Sequence, residues 1–371
     1  MKVPMLDLTE QYQALKSDIN QALEEVMSSA RFILGDNVKR LEKSIAEYSH
    51  VKYGVGVGNG SDAIHISLVA CGVEPGDEVI CPAFTFFATA GAVARIGAVP
   101  VFVDIEEKTY NLDPSKIEAA ITPKTKAIIP VHLYGQMADM DKIAEIANKH
   151  NLAIVEDAAQ AIGSEYKGKK AGELGTTATY SFFPTKNLGA YGDGGMIVTN
   201  NAEIAETMSV IRVHGSKPKY FHHILGYNSR LDELQAAILN VKFPYLNDWS
   251  KQRIDRAETY TKLIKDQLGD LVVTPFVEEH NYHIFHQYTI RVPKRDELQA
   301  FLKDQGVATM IYYPKSLHLQ PVFAELGYKE GDLPVTEKAT EEVLSLPIFP
   351  ELKLEQQEYV VSKIKEFYST N

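Results

Sequence analysis

Lys186 follows the apolar run ATYSFF (178–183) and Pro184, and Gly189, Gly192, Gly194 and Gly195 come just after it. A lysine whose stem lies against a core loses hydration of its ammonium, and desolvation lowers the amine pKa toward the range where it acts as a nucleophile. The glycines imply a backbone folded tightly around something. Taken alone, Lys186 is as readily a solvated surface charge. A second candidate is LAIVEDAAQAIGS, where an apolar run ends in Glu156–Asp157 and Gln160 follows three positions on. Carboxylates at the carboxyl end of a strand stand where open α/β sheets bind ligands. The plain alternative for Asp157 is a helix N-cap. The third is GVGVGNGSDAIHISL: a strand, a turn at Gly58–Gly60, and a helix from about Ser61. Free N–H groups at a helix start, with the positive end of its dipole, make an anion site. A tight turn capped by Ser61 is the structural alternative. Spacing excludes two sharper motifs: Asn59 or Ser61 occupies the third glycine position of GxGxxG, and GxxxxGK[ST] is absent.

An anion cradle, an acid and a buried lysine together meet the needs of pyridoxal phosphate. It carries a phosphate, an aldehyde that condenses with lysine, and a pyridine nitrogen kept protonated by an acid so that the ring can act as an electron sink.

The elements that must position these residues alternate along the chain. Residues 53–57, 78–82, 99–105, 126–133, 152–157, 178–183 and 195–199 read as strands, and 61–69, 88–96, 114–120 and 139–150 as helices between them. An N-terminal helix spans 10–30, with Asp7 and Glu10 as a capping box. Alternation of this kind predicts an α/β large domain, a mostly parallel sheet between helices. Beyond Asp232 come a long helical segment, a charged helix from Asn247 to about Leu268, a strand at 286–292, and helices at 296–304 and 355–368. These predict a smaller C-terminal α+β domain, with large domain 1–245 and small domain 246–371.

The 371 residues suit about two domains. A net charge of −11 argues against a broad nucleic-acid or anionic-membrane surface. Cys71 and Cys81 make no disulfide framework. The start, MKVPMLDLTEQYQ, lacks the basic-then-apolar layout of a signal peptide, and the weakly polar stretch 84–103 is broken by Arg95 and Pro100. A cytoplasmic enzyme is expected. His283 and His286 have HxxH spacing but no third ligand in view, so no metal is expected.

The blocks GDNVKRLEKSIAEY, GNGSDAI, PAFTFFATA, VEDAAQA, SFFPTKNLGAYGDGG, GYNSRLDELQAAIL, IYYPKSLHLQP and LSLPIFP, in this order, resemble the DegT/DnrJ/EryC1/StrS family of pyridoxal-phosphate-dependent nucleotide-sugar aminotransferases. That resemblance implies fold type I and a role for each matching residue. Lys186 would hold the cofactor as a Schiff base and relay the proton, and Asp157 would pair with the ring nitrogen. Gln160 would contact the ring hydroxyl oxygen, and Phe86 would stack on the ring, its alternative being a core phenylalanine. Gly60, Ser61 and Asp62 would offer backbone N–H groups to the phosphate, with the Ser181 hydroxyl, and Asn228 would reach the phosphate in the neighbouring subunit of a homodimer. Tyr220, His222, Arg230, Tyr313 and His318 would line the substrate pocket. For Arg230 an ion pair with Asp232 or Glu233 is the alternative. Ser316 stands where many relatives have proline.

The implied reaction takes an amino group from L-glutamate and delivers it to a nucleoside-diphosphate ketosugar, with SFFPTKNLGAYGDGG closer to relatives acting on 3-keto sugars. One rival is the family's sugar dehydratases, which carry histidine in place of the lysine. Another is a non-catalytic cofactor-binding regulator, for which no helix-turn-helix or basic face is visible.

Overall fold

The computed structural model describes residues 1–370. Its strands run β1 (Tyr53–Val57), β2 (Glu78–Pro82), β3 (Val99–Val103), β4 (Thr125–Ile128), β5 (Ala153–Asp157), β6 (Glu165–Tyr166), β7 (Lys169–Lys170), β8 (Thr177–Ser181), β9 (Gly195–Thr199), β10 (Asn281–Tyr282), β11 (Tyr288–Arg291) and β12 (Val343–Leu346). Seven of them form one sheet in the order β1-β9-β8-β5-β4-β2-β3. Pairing is parallel from β3 through β2, β4 and β5 to β8, and β9 runs antiparallel to both neighbours.

Side chains alternate across a strand, so neighbours on one strand should serve opposite cores. Ile80, Ile128 and Ile154 pack with Leu41, Ile45, Ile143 and Leu239 from helices Asp36–Tyr48, Met140–His150 and Glu233–Lys242. Val79, Cys81, Ala127 and Val155 pack the other way, with Ile64, Leu68 and Val93 from helices Gly60–Ala70 and Ala88–Arg95. Both faces are covered, which is why these strands read as continuous apolar runs.

Several boundaries shift for local reasons. In the run from 126, continuous pairing ends at Ile128, with Val131 still bridging Asp157, and Leu133–Gly135 turns as a short 3₁₀ helix. At the N-terminal helix, Thr9–Ser29, Leu8 takes the cap position while Asp7 Oδ1 accepts the Thr9 N–H at 2.8 Å, so the expected capping box is replaced by a local turn. The two helical segments expected after Asp232 are Glu233–Lys242 and Leu246–Leu268, joined by a 3₁₀ turn containing Pro244.

A separate core gathers Ala257, Tyr260, Tyr288, Leu298, Leu344 and Val360, and Val3 joins it. β11 and β12 pair antiparallel there. Val3 exchanges backbone bonds with Gly306 and Ala308, both at 2.9 Å, so the chain's start is stitched to its C-terminal part. Among the described residues no helix is long and apolar enough to cross a membrane.

Candidate active site

Asp157 ends β5 at the sheet's carboxyl edge and is 5% exposed. Its Oδ2 accepts the Thr89 hydroxyl at 2.8 Å, and its Oδ1 accepts the Ala159 N–H at 3.2 Å. Thr89 Oγ1 lies 3.2 Å from Thr85 Oγ1. A hydroxyl has one proton, so Thr89, donating to the carboxylate, accepts from Thr85. Burial pushes the Asp157 carboxyl up, while the Thr89 hydroxyl, the Ala159 N–H, Lys186 and His132 pull it back. Asp157 is thus a sealed acid held by donors, and not an N-cap of a following helix.

Lys186 sits in the turn after β8. Its N–H donates to the Phe183 carbonyl and the Ala190 N–H to the Phe182 carbonyl, each at 2.8 Å. A Cβ at Gly189 would stand 2.3 Å from the Pro184 carbonyl oxygen, so this turn closes only on glycine. Desolvation lowers the Lys186 amine to about 8, with Asp157 pulling the other way. Asp157 ends β5 and Lys186 follows β8, its parallel neighbour, and each senses the other's charge.

The glycine turn follows β1. Asn59, not Ser61, caps helix Gly60–Ala70, its Oδ1 accepting the Asp62 N–H at 2.8 Å. Of the three donors expected for an anion, Asp62 is therefore engaged. The N–H groups of Gly60 and Ser61 have no protein acceptor among the described residues. A Cβ on Gly60 would come within 2.8 Å of Ser181 Cβ, so the helix start leans on the end of β8 beside the Ser181 hydroxyl.

Gln160 accepts the Tyr134 N–H at 2.7 Å through Oε1 and donates to the Tyr313 hydroxyl at 3.2 Å through Nε2. Phe86 is 57% exposed, with its ring 6.2 Å from that of Tyr313. A core phenylalanine would be buried, so that alternative is set aside. Gly60, Ser181, Asp157, Lys186, Gln160 and Phe86 therefore come from elements converging at the same sheet edge.

The remaining candidates divide. Tyr220, His222 and Asn228 lie on a hairpin bridged at Val213–Asn228 and Ser216–His222. Tyr220 is 79% exposed, and His222 Nδ1 is 2.8 Å from the His214 carbonyl oxygen. At the hairpin's root the Ser229 hydroxyl donates to Asp62 Oδ2 at 2.8 Å and accepts the Gly58 N–H at 3.0 Å. Arg230 makes no ion pair among the described residues. Glu233 instead accepts the N–H groups of Gly35, Asn37 and Val38 at the start of helix Asp36–Tyr48. His318 corrects an expectation: it is 1% exposed with Nε2 3.1 Å from Glu337 Oε1, and offers no surface to a substrate. His283 Nδ1 accepts the Phe285 N–H at 3.0 Å and its ring stacks on Phe285, while His286 Nδ1 lies 3.1 Å from Asn187 Oδ1 beside Lys186, so His286 serves the packing of the lysine turn.

Thr89 and Asn59 escaped the sequence reading. Thr85 and Thr89 share helical spacing next to Phe86, a signal that could have drawn attention to a hydroxyl pair.

Residues 13–365 match the DegT/DnrJ/EryC1/StrS aminotransferase family. A Geobacillus stearothermophilus protein named pleiotropic regulatory protein is 71% identical, over 99% of each chain. The UDP-N-acetyl-3-dehydro-alpha-D-glucosamine 3-aminotransferase of Acidithiobacillus ferrooxidans is 45% identical over 98% of this chain and 97% of its own. Among solved structures, Streptomyces venezuelae DesV in complex with a ketimine intermediate superposes with a TM-score of 0.95 at 41% identity, covering 99% of this chain and 98% of DesV. With that match spanning nearly the whole sequence and relatives this similar, this chain belongs to the DegT/DnrJ/EryC1/StrS aminotransferase family.

Proposed function

We propose that this protein is a pyridoxal-phosphate-dependent aminotransferase. It transfers the amino group of L-glutamate to a nucleoside-diphosphate 3-ketosugar, as a cytoplasmic homodimer with large domain 1–245 and small domain 246–371. The observation carrying this reading is the desolvated Lys186 amine, in the turn after β8, and the sealed Asp157 carboxyl at the end of neighbouring β5, electrostatically coupled beside the open N–H groups of Gly60 and Ser61.

The residues fit the cofactor. Gly60 lacks the Cβ that would close the space beside Ser181, and the two free donors of the helix start suit a phosphate. When bound, the cofactor supplies an aldehyde for the amine and a ring that accepts the electron pair released at the substrate carbon. Asp157, whose carboxylate oxygens accept from Thr89 and Ala159, would hold the proton on the ring nitrogen; a hydrogen bond to a charged group is worth roughly 1.5–3 kcal/mol. Lys186, with its amine lowered to about 8, is poised to take and return a proton near neutral pH. Gln160 Nε2 would steer the ring hydroxyl oxygen, while the exposed Phe86 ring would cover one ring face. Tyr313 joins this wall through Gln160, and Arg230, free of ion pairs, is the group to fork onto a substrate carboxylate or phosphate. The exposed hairpin carrying Tyr220, His222 and Asn228 would cross to a second copy and bring Asn228 to its phosphate.

The 3-keto preference rests on the lysine block and on relatives whose names specify 3-amino or 3-oxo sugars. The regulatory name carried by the Geobacillus relative keeps a second reading in view, that of a cofactor-binding sensor. Glutamate separates the two. An aminotransferase loses its protein-bound aldehyde absorbance within seconds to minutes of glutamate addition and regains it with 2-oxoglutarate; a sensor leaves the spectrum unchanged, and that result would reject catalysis.

A further inference from the structure

Lys242 is 1% exposed and has no carboxylate within ion-pair distance among the described residues. A buried charge is normally paired, because removing it from water alone is costly. Here the ammonium donates to the Gly189 carbonyl oxygen, with the faces of Tyr191 and Trp249 at 5.0 and 5.9 Å from Nζ. The acceptor belongs to the turn that carries Lys186. Burial lowers this second amine to about 8, with Glu351 acting weakly in the other direction.

The rest of helix Glu233–Lys242 points the same way. Gln235 lies seven residues before Lys242 and so on the same helical face. Its Oε1 accepts the Tyr191 N–H at 2.9 Å, and a Cβ on Gly192 would meet its Nε2 at 3.0 Å. One face of this helix therefore holds the backbone at Gly189 and at Tyr191. From the opposite end, His286 reaches Asn187. Within the turn itself, among the described residues, the amides of Phe183, Lys186 and Ala190 bond locally. A turn closed on glycine, with few bonds of its own, owes its geometry to what grips it from outside.

We propose that Lys242 is a positioning residue for Lys186: its ammonium, seated between Tyr191 and Trp249, grips the Gly189 carbonyl and fixes the turn from which the Lys186 amine reaches the cofactor. This rests on the cofactor reading above for its consequence, though not for the grip itself. Lys242 does not touch the reacting atoms. A neutral side chain of similar volume fills the space and leaves the carbonyl ungripped, so the turn should loosen while the fold stays.

The test uses the full chain as wild type and as Lys242→Met, Lys242→Arg and Lys242→Gln. Amide hydrogen exchange of the peptide spanning 184–190 is followed without cofactor, and borohydride trapping of added pyridoxal phosphate on Lys186 is timed separately. In Lys242→Met, exchange should quicken and trapping should slow, each by about tenfold, with a cooperative melt retained. Arg, which restores a cationic donor, should recover most of the trapping rate. Wild-type exchange and trapping in Lys242→Met would overturn the proposal. So would loss of cooperative melting in the Met and Gln variants alike, which would make Lys242 a general support of the fold. Should wild type trap nothing, the cofactor reading fails, and the exchange result still decides whether the grip exists.

Discussion

The sheet edge around Asp157 and the hairpin from Val213 to Asn228 are built on opposite terms. Asp157, Thr89 and His132 are each at most 5% exposed and bonded on every side. The hairpin shows Tyr220 at 79%, Phe221 at 63% and Leu225 at 93% exposure. A protein seldom leaves such a run of apolar side chains in water unless something covers it. One copy of the chain therefore finishes the edge that would hold the cofactor ring and leaves the hairpin unfinished. At the hairpin root the Ser229 hydroxyl ties the chain to Gly58 and Asp62 at the phosphate turn, and the Tyr227 ring packs edge-on against His65 of the helix that follows.

The largest effect should come from the buried side. Lys186→Ala removes the amine and little core volume, and is expected to abolish the trapped adduct; an adduct at wild-type level would move the covalent site elsewhere. Asp157→Asn should keep the fold and cut turnover by about 100-fold or more, since an amide cannot hold the ring proton and the hydrogen bond lost is one to a charged group. Near-normal turnover would reject the pairing. The same variant has a second signature. Asp157 raises the Lys186 pKa against burial, so trapping, which needs the neutral amine, should rise with pH about a midpoint near 8 in wild type. Its midpoint should fall lower still in Asp157→Asn. A midpoint near the ordinary lysine value of 10.5 would mean that the amine is not desolvated.

Thr89→Val keeps the shape and deletes the donor to Oδ2, so a loss of about tenfold in turnover is expected from one charge-assisted bond. Thr89→Ser should restore it, and a Val variant with full activity would break the chain from Thr85 to Asp157. On the hairpin the smallest effect is expected. Leu225→Asp should change the stability of the single chain by no more than about 0.5 kcal/mol, as for most surface substitutions. Sedimentation should nevertheless show the dimer weakened. An unaltered dimer would leave the exposed apolar run without its proposed cover.

Legibility in the sequence followed the same division. Period and composition located all seven strands of the main sheet, with both ends matched at β1, β2 and β9 and β5 within one residue, because continuous burial leaves continuous apolar runs. Lys186, Asp157 and Gln160 stood out because strand ends and glycines flank them. What the sequence hid were long-range bonds. Val3 joining the C-terminal core, Glu233 capping a helix that starts at Asp36, and Lys242 reaching Gly189 each pair residues far apart in the chain. Asn59 was hidden for a nearer reason: Asn and Ser are equally good caps, and two residues separate them. His318 was assigned to the pocket by family resemblance, and its burial against Glu337 is a tertiary contact that no local pattern carries.

The most direct measurement is borohydride reduction of the purified chain after incubation with pyridoxal phosphate, followed by peptide mapping. The account predicts one phosphopyridoxyl group per chain, on Lys186, absent from Lys186→Ala. A chain that stays colourless and unlabelled with the cofactor in excess, or one labelled on another lysine, would contradict it.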